Sequence, residues 1–158
     1  MNVIEASSNL DRLHRLHHGL VKARAMVERG WCQNKSQNAG RVCLEAALAM
    51  AARGGVGFII EHTPDSKQLV AMCYQELKAR HDPWVVLGEC SVLHVWPWND
   101  RPERTKADVL ELMDAVLMNI DAQIEEHRRQ VTITMRPGVP DLFWDHLAKK
   151  QAKQLVAA

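Results

Sequence analysis

Apolar residues recur every three or four positions from Leu10 to Val27: Leu10, Leu13, Leu16, Leu20, Ala23 and Val27. That spacing puts them on one face of a helix from about Asn9 to Arg29. Ser8, with Asp11 three residues on, predicts a cap at its start. Gly30 fits a left-handed residue at its end. A polar loop, "WCQNKSQNAG", covers 31–40. "RVCLEAALAMAAR", 41–53, predicts a short alanine-rich helix that Gly54-Gly55 ends. "VGFIIEH" suits a short strand or an apolar linker equally. Thr63 and Pro64 then mark the cap and first position of a third helix. It reaches about Arg80, with Leu69, Val70, Cys73 and Leu77 on its inner face.

The stretch from Asp82 to Asp100 has no single period. Asp82-Pro83 predicts a turn. Val85, Val86, Val92 and Val95 favour a strand, while 84–90 suits a short buried helix as well. The longest helix starts after Thr105, which pairs with Asp108 as a cap. Val109, Leu112, Met113, Val116, Leu117, Ile120 and Ile124 form its stripe, and it ends near Arg129. "VTITM", 131–135, alternates and predicts an edge strand or extended arm. "RPGVP" is a turn, and Asp141 caps a last helix, "LFWDHLAKKQAKQLV". The expected fold is mainly α: a compact helical domain of about five helices, with room for one or two short strands. Residues 1–130 are expected as the core, and 131–158 as an arm and helix packing on it or on a neighbouring subunit.

Composition narrows the setting. A chain of 158 residues fits one domain. With 47% apolar and 25% charged residues it has the profile of a soluble globular protein. A net charge of +1 gives no electrostatic case for nucleic acid or membrane as a partner. No apolar run is long enough to span a bilayer, and Glu5 and Asp11 stand where a secretory signal would be apolar. A cytoplasmic location is the default expectation. Cys32, Cys43, Cys73 and Cys90 form no C-x-x-C pair, so free thiols are expected rather than a metal knuckle.

Three segments carry a resemblance: "ERGWCQ", "VCLEAALAMAA" and "WNDRPERTKADVLELMDAV". The matching residues are Gly30 and Trp31; Cys43, Leu44, Ala47 and Leu48; and Trp98, Asn99, Asp100, Arg104 and Thr105. In these the chain resembles an uncharacterised domain family of bacterial and bacteriophage genomes, over roughly residues 10 to 120. It departs from that pattern in a shortened loop after Trp31 and in Ala47, where glycine is common. The resemblance implies a fold and carries no assigned activity.

Two readings of "WPWND" follow. Asn and Asp bond to nearby backbone and stabilise turns, Trp98 anchors the loop by burial, and Thr105 caps the next helix. Alternatively Asn99 and Asp100 are displayed at a pocket mouth walled by Trp31 and Trp98. Trp31, Trp98, Asn99, Asp100, Arg101 and Thr105 are the candidate binding residues on this reading. No catalytic residue is assigned with it.

A second class of function is a papain- or transglutaminase-like cysteine hydrolase or acyltransferase. Cys43 at a helix start would be the nucleophile, His94 the base and Asp100 the orienting group; Cys32 is a variant nucleophile. Against it, His94 and Asp100 are six residues apart and the chain offers few strands. His14 and His18 share a helix face but lack further zinc ligands, so no metal or cofactor is expected. Of the five tryptophans, Trp84, Trp96, Trp98 and Trp144 are more than a core of this size requires, which gives weak support to an interface; the alternative is that they simply fill the core. The expected function is that of a small accessory protein, phage-encoded or bacterial, that binds another protein or itself. A small-molecule sensor using the same loop is a weaker third.

Overall fold

The computed structural model describes residues 3–53 and 62–134. Along them run α1 (Val3–Arg29), β1 (Gln37–Asn38), β2 (Arg41–Val42), α2 (Leu44–Arg53), α3 (Pro64–Ala79), α4 (Pro83–Val86), α5 (Trp96–Asn99) and α6 (Lys106–Thr134). The fold is mainly α, with one two-stranded antiparallel sheet among the described residues. Four helices carry the architecture, and α4 and α5 are single turns. The expected C-terminal helix, the Gly54-Gly55 stop and the 56–61 run lie outside the described residues.

α1 and α6 form an antiparallel pair. Arg24 reaches Asp114, His17 Nε2 lies 3.3 Å from Asp121, and Lys106 Nζ donates to the Glu28 carbonyl at 3.2 Å. α2 packs on α1 and α3, and α3 also meets α1 and α6. The stripe predicted for α1 is the one buried: Leu13, Leu16, Leu20, Ala23 and Val27 are all inside. Leu44 and Leu48 from α2, Leu69 and Leu77 from α3, and Leu112 and Ile120 from α6 complete the core. No helix among the described residues is long and apolar enough to cross a membrane.

The structure corrects several expected boundaries. α1 begins at Val3, so Ser8 sits inside it and caps nothing. α6 continues through Val131–Thr134, where a strand was expected. Val131 lies seven residues after Ile124, continues the apolar stripe and is buried; packing overrides the β-preference of a four-residue run. Arg41 and Val42 form a strand, not the start of a helix.

Gly30 also differs from expectation. Among the described glycines only Gly40 and Gly88 have positive φ. Gly30 ends α1 by donating to the Met26 carbonyl at 3.1 Å while its own carbonyl accepts from Val42 N–H at 3.0 Å. A Cβ there would lie 3.0 Å from Arg41 Cγ. Glycine here suits the close approach of β2 rather than a left-handed turn.

Candidate functional site

Asn99 is fully buried at the end of α5. Its Oδ1 accepts from Trp31 Nε1 at 2.8 Å and from Leu44 N–H at 3.1 Å. Its Nδ2 donates to the Cys32 carbonyl at 3.3 Å and to Asp100 Oδ1 at 2.7 Å. Asp100 Oδ1 also takes Asn34 N–H at 2.8 Å, and Gln33 Nε2 donates to the carbonyls of Asn99 and Arg101. One amide therefore joins the 31–34 loop, the start of α2 and the segment leading to α6. Both donors and both lone pairs of the side chain are in use. The Trp-Asn-Asp motif works here as a junction.

The other predicted residues fall around it. Trp98 is buried, and its indole N–H donates to Asp82 Oδ2 at 3.0 Å. Arg104 pairs with the same oxygen at 2.9 Å and lies over the Trp98 ring. Arg101 stacks on Trp84, whose indole N–H donates to Glu103 at 3.2 Å. Thr105 is brought to a different task, capping α6.

This scaffold holds residues 82–96 in place. α3 closes with Asp82 N–H donating to the Leu77 carbonyl and His81 N–H to the Lys78 carbonyl. His81 takes the left-handed conformation between them. Asp82 then caps α4, accepting Trp84 N–H at 3.1 Å. α4 ends the same way, with Gly88 left-handed and Glu89 N–H on the Trp84 carbonyl. Val85, Cys90 and Val95 point inward and are buried. Val86, Leu87, Val92, Leu93 and Trp96 point outward, and they are five of the seven exposed large hydrophobics among the described residues. A short buried helix was one expectation for 84–90; the helix is a single turn, and Val86 and Leu87 are exposed by 70% and 68%.

Glu45, in the first turn of α2, was not foreseen. Oε1 of its buried carboxylate lies 3.2 Å from His62 Nε2 and 3.3 Å from His94 Nδ1. At Oε2 it accepts Val95 N–H and Trp96 N–H, both at 3.2 Å. An acidic residue near a helix start is ordinary, and its partners are remote in sequence, so nothing in the pattern marked it. Among the described residues no His, Cys, Asp and Glu group, this one included, is arranged to hold a metal ion.

Cys43, His94 and Asp100 are held by different partners. Cys43 Sγ accepts Ala46 N–H at 3.4 Å, His94 bonds Glu45, and Asp100 bonds Asn34 and Asn99. No hydrogen bond joins the three among the described residues. Burial pushes the Cys43 thiol up to about 11, against the small favourable contribution of the Ala46 N–H. At neutral pH that leaves about one thiol in ten thousand ionised. Burial also raises the Cys32 thiol, with Asp100 adding to it.

These features define a mainly helical domain in which a buried Trp-Asn-Asp junction supports an exposed apolar segment. The chain belongs to a family of unknown function (DUF6197), whose model matches residues 14–117, from within α1 to within α6. Comparison with curated proteins and with solved structures gives no match.

Proposed function

We propose that the protein acts by binding another protein, or a second copy of itself, through the apolar segment Val86–Trp96. One observation carries this reading: five exposed large hydrophobics fall within eleven residues, on backbone fixed at both ends. Single exposed apolar residues are ordinary; a clustered set marks an interaction surface. Fixing the backbone beforehand lowers the ordering cost of association. A half-exposed tryptophan, Trp96, is the residue type most often found at the energetic centre of an interface. On this reading Trp31, Asn99 and Asp100 act behind the surface and shape it. The setting we propose is the cytoplasm, that of the host if the chain is phage-encoded.

The test is site-specific photo-cross-linking in a lysate of the producing cells. A benzophenone side chain at Leu93 is expected to capture a defined partner or a second copy. The same group at Gln123, exposed on α6, should not. Adding Leu87→Asp should abolish the Leu93 product. Equal labelling from Leu93 and Gln123, or a product indifferent to Leu87→Asp, would remove the basis for this reading.

A further inference from the structure

Two cysteines meet where the chain passes from α1 to α2. A parallel β-bridge joins Trp31 to Val42. Val42 N–H donates to the Gly30 carbonyl at 3.0 Å, and Cys32 N–H donates to the Val42 carbonyl at 3.1 Å. The next residue on each side is a cysteine. A parallel bridge sets the two chains in step, so Cys32 and Cys43 stand opposite each other one position beyond it. Neighbouring strands run about 4.8 Å apart, and a disulfide spans Cα separations of about 4.4–6.8 Å.

Three further observations hold the pair together past the bridge. The Asn99 amide reaches both sides, donating to the Cys32 carbonyl at 3.3 Å and accepting Leu44 N–H at 3.1 Å. Both cysteines touch the same turn: Cys43 N–H donates to the Ser36 carbonyl at 3.1 Å, and the Cys32 thiol to the Lys35 carbonyl at 3.3 Å. Cys32 is also among the groups that oppose ionisation of Cys43, so the two sulfurs are within electrostatic reach. Both are buried and free. Closing a bond between them breaks only weak sulfur contacts, to Lys35 and Asn38 from Cys32 and to Ala46 from Cys43.

We propose that Cys32 and Cys43 are a reversible dithiol pair, which a small-molecule disulfide converts to an intramolecular disulfide that ties the 31–34 loop to the start of α2. Cys32 reacts first, because Lys35 and Arg41 favour its thiolate. The thiolate attacks one sulfur of the small disulfide. A mixed disulfide forms, and the first small thiolate leaves and takes up the proton that Cys32 lost. Cys43 then attacks the Cys32 sulfur. The protein S–S bond forms, and the second small thiolate leaves with the Cys43 proton. Two protein thiols are oxidised and one small disulfide is reduced to two thiols. Burial raises both protein thiols, so the exchange is slow and answers sustained oxidation. In a reducing cytoplasm the pair rests open. Once closed, the bond does covalently what the Asn99 amide does by hydrogen bonding.

This inference does not rest on the docking surface, and its test uses the free, folded protein. Dipyridyl disulfide at about pH 8 is the oxidant, since each exchange releases a coloured pyridinethione. Two thiones are expected for each reagent molecule consumed, with no pyridyl group left on the chain. Peptide mapping is expected to show Cys32 linked to Cys43, with Cys73 and Cys90 still free. In Cys43→Ala one thione is expected, and the pyridyl group stays on Cys32. The oxidised protein should melt roughly 5 °C higher than the reduced one, as a cross-link that fits the fold would require. Dithiothreitol should reverse the shift. A lasting pyridyl adduct on Cys32 in the wild type overturns the pair. So does a link to Cys73 or Cys90, an absence of thione release from the folded chain, or an oxidised form that melts lower.

Discussion

Replacing Asn99 by alanine would strand a tryptophan N–H, the Leu44 N–H and the Cys32 carbonyl in a space too buried for easy hydration. Each unsatisfied buried group costs about 1–3 kcal/mol. The expected loss for Asn99→Ala is about 3 kcal/mol, read from urea denaturation. A loss under about 1 kcal/mol would show that water replaces the amide and that the junction is not what shapes the loop. Asn99→Asp is a sharper version. It exchanges the two Nδ2 donors for a second negative oxygen beside Asp100, so it should destabilise despite near-identical shape. The pair Asn99–Asp100 was visible in the sequence as turn chemistry next to two tryptophans. What could not be read was the direction of the amide. Asn99 points at residues 55 to 68 positions away in the chain, and only the packed fold brings those together.

At the scale of elements, local chemistry was legible and tertiary extension was not. Thr63 accepts Ser66 N–H at 3.1 Å with Pro64 in the first turn, as expected for α3. Thr105 and Asp108 form the reciprocal cap expected for α6, with Asp108 Oδ2 accepting the Thr105 N–H at 2.7 Å and its hydroxyl at 2.8 Å. Those bonds, the backbone one first, hold the Asp108 carboxyl below its ordinary value. A lowered carboxyl stabilises the fold above the unfolded value, near 3.9, and that contribution is lost as pH falls through the folded value. Asp108→Ala should therefore cost about 1 kcal/mol at neutral pH, and the gap to wild type should narrow below about pH 4. A gap that stays constant with pH would mean the cap contributes nothing through its charge. By contrast the start of α1 at Val3 and the end of α6 at Thr134 lie beyond any cap signal in the sequence, and in α6 the buried Val131 continues the apolar stripe. Glu45 was missed for the same reason: its role is set by His62 and His94, which helix periodicity does not connect to it.

For the whole molecule, fold and proposed binding use different apolar residues, and one pair of substitutions separates them. Leu20 is fully buried between α1 and its neighbours, whereas Leu87 is 68% exposed at the end of α4. Leu20→Ala leaves a cavity that close-packed neighbours fill only in part, so it should lower stability by about 3–5 kcal/mol. Leu87→Ala removes the same atoms from water-facing surface and should change stability by no more than about 0.5 kcal/mol. Both are measured by urea denaturation, and the second also by its effect on the Leu93 cross-link. If Leu87→Ala leaves stability unchanged and weakens the cross-link, the exposed leucine serves association and not the fold. If it instead lowers stability by more than about 1 kcal/mol, Leu87 is covered within the same chain. Val86–Trp96 would then be part of an internal packing surface, and the binding site would have to be sought elsewhere on the molecule.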